Sequence, residues 1–94
     1  MSDVLKGDRL IEFLKKVPEW DHEGNTITKT FEFDDFTEAM EFVNTVAEIA
    51  DEEGHHPDID IRYNQVVLTL TTHDVGGLTE NDFAIARKVD NLLD

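Results

Sequence analysis

A chain of 94 residues holds one domain, read here as spanning 1–94, whose modest core would gain support from self-association. Its composition, 39% hydrophobic and 32% charged, is that of a soluble globular domain, and no apolar run approaches the roughly 20 residues of a membrane span. With 22 Asp and Glu against 8 Lys and Arg, the formal net charge of −14 excludes nucleic acid and anionic lipid as expected partners, since both are held through neutralised phosphates. The absence of cysteine removes disulfides, thiolate nucleophiles and thiolate metal sites together. The opening MSDVLKGDRL has no basic n-region and no apolar h-region, so no secretory signal is read and a cytoplasmic protein is expected.

In chain order, Leu10, Phe13, Leu14 and Val17 recur at helical spacing over about 6–17, with Asp8 as candidate N-cap and Pro18 closing the helix. Trp20 to His22 and Thr26 to Phe33 flank the turn-prone Glu23-Gly24-Asn25, which predicts a hairpin. Ile27, Lys29, Phe31 and Phe33 then share one strand face. Asp35, with Glu38 three residues on, opens a long helix whose stripe is read as Phe36, Met40, Val43, Ala47 and Ala50, ending at Gly54. Alternation follows, with Ile59, Ile61 and Tyr63 on one face and Asp58, Asp60 and Arg62 on the other. Asn64-Gln65 is read as the tight connection into a β-rich run, Val66 to Thr72. After the Gly76-Gly77 loop, Thr79 starts a last helix with Phe83, Ala86, Val89 and Leu93 on its buried face. Helix, hairpin, helix, hairpin, helix predicts an α+β fold, a four-stranded antiparallel sheet with three helices on one face. The open face and the edge strands are the expected places for subunit contacts.

His55 and His56 end the long helix and His73 ends the following strand, so a hairpin between them returns all three imidazoles to one rim of the sheet. Imidazole donates and accepts protons near neutral pH, which suits acid/base chemistry. A metal site is the competing reading, although adjacent histidines lack the i, i+4 spacing of common zinc motifs. Asp82 fits a capping box with Thr79, or a carboxylate that orients a histidine or touches a ligand. Trp20 is either core or a stacking platform, and His22 a surface residue.

The order Asp51, three positions, His55-His56-Pro57, five positions, Tyr63, nine positions, His73, eight positions, Asp82 resembles the active-site signature of the pterin-4a-carbinolamine dehydratases. The strings GHHPDIDIRYNQVVLTLTTHDVGGLTENDFAIA and FEFDDFTEAMEFVNTVA are similar to that family's as well. The resemblance implies a hydro-lyase that dehydrates 4a-hydroxytetrahydropterin to quinonoid dihydropterin and water, recycling the cofactor of aromatic amino acid hydroxylases. It implies no metal and no organic cofactor, and a homodimer or homotetramer. By position, His55, His56 and His73 match the family's catalytic histidines. Asp82, Asp51 and Trp20 match residues at its pterin pocket. One position departs: some members carry an aromatic where this chain has Ile59, which packs but offers no stacking face. Relatives that act as protein partners, or on another pterin such as one of molybdopterin metabolism, supply the alternative functions.

Overall fold

The computed structural model describes residues 3–93; of the single domain expected over 1–94, Met1, Ser2 and Asp94 lie outside the described residues. The elements run α1 (Gly7–Leu14), β1 (Asp21–Glu23), β2 (Thr26–Glu32), α2 (Phe36–Glu53), β3 (Asp58–Arg62), β4 (Gln65–Leu70), a 3₁₀ turn (His73–Val75) and α3 (Glu80–Leu92). The strands form one antiparallel sheet in the order β1-β2-β4-β3. This is the α+β architecture expected from the pattern. The two hairpins join through β2 and β4, paired from Ile27 opposite Leu70 to Glu32 opposite Gln65. Asn64 reinforces that join, its side-chain amide donating to the Phe33 carbonyl and its carbonyl accepting the Phe33 amide, both at 2.9 Å.

Period-two alternation sorts the sheet faces. Ile27, Phe31, Val66, Leu68 and Leu70 point under the helices and are buried against Phe42 and Val46 of α2 and Phe83 and Ile85 of α3. Phe42 sits between Phe31 and Phe33, with ring centroids 4.8 and 4.9 Å away. The opposite face is threonine-rich: Thr28 lies opposite Thr69, their hydroxyls 3.2 Å apart. Among the described residues no helix is long and apolar enough to cross a membrane.

Several local expectations need correction. Lys6, not Asp8, occupies the N-cap of α1. The Leu5 amide is committed to the Leu78 carbonyl at 2.8 Å, so the chain turns into the helix immediately and leaves Asp8 in the first turn. The second hairpin turns at Tyr63-Asn64 rather than Asn64-Gln65, with Arg62 opposite Gln65 and Tyr63 left-handed at φ 55°. β4 ends at Leu70, short of Thr72, because Thr72 closes on Gly77 instead. The buried stripe of α2 is Ala39, Phe42, Val46 and Ala50, whereas Phe36 and Ala47 are exposed. On α3, Ile85 joins the core and Leu93, past the helix end, is 53% exposed.

Candidate active site

Two backbone devices bring the histidines together. The first is the end of α2. Gly54 adopts the left-handed conformation (φ 65°, ψ 28°) and donates its amide to the Ala50 and Asp51 carbonyls. The His55 amide then donates to Ala50 O at 3.1 Å, which fixes the residue against the helix end. The second is the loop after β4. The Thr72 amide donates to the Gly77 carbonyl at 2.9 Å and the Thr72 carbonyl accepts the Gly76 amide at 3.0 Å, tying a small ring that carries His73. Gly77 has no room for a side chain, since a Cβ there would lie 2.8 Å from a Val4 methyl.

Between these devices opens a cleft of about 220 Å³, lined by His55, His56 and His73 with Gly54, Thr71, Thr72 and Asp74. Behind it lies Asp82, which has no exposed surface. Its Oδ1 is 2.5 Å from His55 Nε2, while Oδ2 accepts the Thr79 amide at 2.9 Å and the Thr72 hydroxyl at 2.8 Å. Oδ2 is thus taken up by two donors and Oδ1 faces the imidazole, and a carboxylate in its acceptor-only form needs a donor there. His55 therefore donates from Nε2, and its other ring nitrogen is left for the cleft. No buried side-chain nitrogen or oxygen among the described residues lacks a partner. His56 Nε2 lies 2.9 Å from Asp51 Oδ1, but both side chains are well exposed (64% and 79%), so water weakens that pair. Among the described residues no three His, Asp or Glu side chains are arranged to hold a metal ion.

The structure thus gathers His55, His56 and His73, with Asp51 at the rim behind His56. Two of the residues matched to the family's pterin pocket, Asp82 and Trp20, do not line the cleft. Asp82 stands behind His55, not in the cleft; it caps α3 with one oxygen and meets the histidine with the other. Trp20 is core, 5% exposed, edge-on to Phe31 at 6.0 Å, with its indole N–H on Asp90 at 3.0 Å. A lone indole entering a hairpin can be buried under the helices once a carboxylate there accepts a hydrogen bond from its N–H. Sequence reasoning also passed over Thr72, taken as an ordinary β-branched strand residue.

A larger concavity, about 530 Å³, opens at the other end of the sheet near Lys29, Arg87 and Asp90. Its central charges satisfy each other, Lys29 bridging Asp90 at 3.0 Å and Glu19 at 3.2 Å. Burial pushes the Lys29 ammonium down, but its two carboxylate partners outweigh that and hold it above its usual value. The histidine cleft is smaller, but three imidazoles line it.

Fold and cleft together define an α+β domain with an imidazole site suited to proton transfer. Residues 3–92 match the model of the family described as pterin 4 alpha carbinolamine dehydratase. A protein of Thermomicrobium roseum that bears the name pterin-4-alpha-carbinolamine dehydratase is 52% identical over 83 residues, which cover 88% of this chain and 89% of that one. Among solved structures, a transcriptional coactivator/pterin dehydratase from Brucella melitensis superposes with a TM-score of 0.92 at 33% identity, covering 98% of this chain and all (100%) of that one. A pterin dehydratase-like protein identified as a RuBisCO assembly factor in the alpha-carboxysome aligns at 0.63 and 27% identity, over 78% of this chain and 84% of its own. The chain belongs to the pterin-4a-carbinolamine dehydratase family.

Proposed function

We propose that this chain dehydrates a 4a-hydroxytetrahydropterin to the quinonoid dihydropterin and water, with histidines alone moving the protons. Hydroxide leaves C4a slowly unless it is protonated, and the C4a–N5 double bond that replaces it forces the N5 proton off. The reaction therefore asks for one acid and one base on either side of C4a. His73, exposed at the cleft rim, serves as the acid that protonates the leaving hydroxyl. His55 accepts the N5 proton on the ring nitrogen that Asp82 does not hold, and Asp82 stabilises the imidazolium that forms. Each transfer contributes on the order of 10² to 10⁴-fold. His56, backed by Asp51, binds and orients the pterin. The carrying observation is the 2.5 Å contact between buried Asp82 and a histidine that opens onto the cleft. Alanine variants test it: His55→Ala and His73→Ala lose turnover while His56→Ala mainly raises KM. Loss with His56→Ala alone would refute the assignment.

The setting belongs to the same proposal: a single cytoplasmic domain over 1–94, working beside an aromatic amino acid hydroxylase that supplies the carbinolamine. Self-association as a homodimer or homotetramer is supported by exposed apolar side chains, Phe36 at 48% on α2 and Ile59 at 37% on the β3 edge. The threonine-rich open face of the sheet offers no comparable surface. A second reading, as a protein-binding assembly factor, draws on the carboxysome protein of similar fold. The intact histidine set favours the enzyme, because docking a protein needs no proton transfer.

A further inference from the structure

We infer that the hydroxyls of Thr79 and Thr72 form a positioning relay that locks Asp82, and through it holds His55 in the tautomer protonated on Nε2. The inference rests on the reading of His55 as a proton-transfer group. Its basis is a count of hydrogens. Thr72 Oγ1 lies 2.8 Å from both Asp82 Oδ2 and Thr79 Oγ1. A hydroxyl has one hydrogen, and an ionised carboxylate can only accept. Thr72 therefore gives its hydrogen to Asp82, and Thr79 gives its own to Thr72. With the Thr79 amide on the same oxygen at 2.9 Å, Oδ2 is fully occupied and Oδ1 is aimed at His55. With Asp82 ionised, the direction of each hydrogen along Thr79, Thr72, Asp82 and His55 is fixed.

The Thr72 hydroxyl is not needed to shape its own loop. The Thr72 amide on Gly77 O (2.9 Å) and the Gly76 amide on Thr72 O (3.0 Å) close that ring through the backbone. What the hydroxyl adds is one hydrogen bond donated to the buried carboxylate and one accepted from the Thr79 hydroxyl. The other charged groups around the site do not substitute for it. Asp51 is engaged with His56 at 2.9 Å, Glu53 with Lys88 at 2.6 Å, and Asp74 lines the open rim of the cleft beside His73. Without the hydroxyl, Asp82 loses a fixed donor, its carboxylate can rotate about Cβ–Cγ, and His55 is free to exchange tautomers. Thr72 is thus a positioning residue that acts through Asp82.

The test is ¹⁵N-resolved NMR of the imidazoles in the ligand-free protein, with turnover measured alongside. Wild type should show His55 as a single Nε2–H tautomer with a slowly exchanging ring proton. Thr72→Val, which keeps the shape and removes the hydroxyl, should show mixed tautomers and fast exchange, with kcat down about tenfold and KM within about twofold. Thr72→Ser should restore both readouts, and Thr72→Ala serves if the valine variant does not fold. A wild-type His55 protonated on Nδ1, or a folded hydroxyl-free variant keeping the wild-type tautomer and kcat, overturns the relay. The two readings fail separately. A locked tautomer in a protein that dehydrates no pterin sinks only the enzyme, whereas turnover with a freely exchanging His55 sinks only the relay.

Discussion

Asp82 has no contact with solvent, and its two oxygens perform two separate tasks, capping the start of a helix and holding an imidazole. Asp82→Asn replaces one acceptor oxygen with a donor, so either the helix cap or His55 is left facing an N–H. Turnover is expected to fall by about 10² to 10⁴-fold, and stability by about 1–3 kcal/mol from the mispaired buried group. Chemical denaturation beside steady-state kinetics separates the two effects. This residue was legible only as a choice between cap and histidine partner, and the choice was false because each oxygen takes one role. The three histidines were legible outright, since a hairpin must return His73 to the helix end that carries His55. Trp20 was not. Its burial depends on Asp90, 70 positions along the chain, docking over it, and no local pattern encodes that.

At the scale of elements, α2 shows how a correct helix can carry a misread face. Its apolar residues cover a wide arc, so two stripes at three-to-four spacing can be drawn through the same 18 residues. The one through Ala39, Phe42, Val46 and Ala50 meets the sheet; the one begun at Phe36 runs along its margin, with Phe36 and Ala47 exposed, Val43 packed against the core and Ala50 common to both. Which stripe docks is decided by the strand register beneath it, a tertiary fact. The helix ends were readable because they are local chemistry. Asp35 accepts the Glu38 amide at 2.9 Å as an N-cap. Asp35→Ala should cost about 1 kcal/mol, a fall of roughly 4–8 °C in calorimetric midpoint for a domain of this size. Gly54→Ala forces a side chain into the left-handed region and should cost about 1 kcal/mol as well. Because Gly54 carries His55 into place, kcat should also drop in that variant, while Asp35→Ala should leave it near wild type.

Across the whole molecule, the −14 charge is a field acting against compaction. Raising NaCl from about 0.05 to about 1 M should therefore raise the thermal midpoint. The one deeply set cation among its core-facing strand residues, Lys29, sets the alkaline side. Its folded value is raised above the ordinary 10.5 by Asp90 and Glu19, which overcome its partial burial. A raised lysine contributes stability that is full below the unfolded value and is lost as pH climbs through the folded one. Wild type should thus lose more stability than Lys29→Met between pH of about 8 and about 11.5, as read by urea unfolding at each pH. An equal loss in both proteins would remove Lys29 from the explanation. The order of layers was legible because hairpins and amphipathic helices allow few arrangements. The strand order β1-β2-β4-β3 was not, since it rests on pairing between segments about 40 residues apart.

The central claim, that the histidine cleft dehydrates a pterin carbinolamine, is tested most directly by mixing the protein with freshly generated 4a-hydroxytetrahydropterin and following dehydration optically beside His73→Ala. Acceleration over the spontaneous rate by wild type, lost in the folded variant, is the expected result. A folded wild-type protein that leaves the spontaneous rate unchanged would contradict it and turn attention to another pterin or to a protein partner.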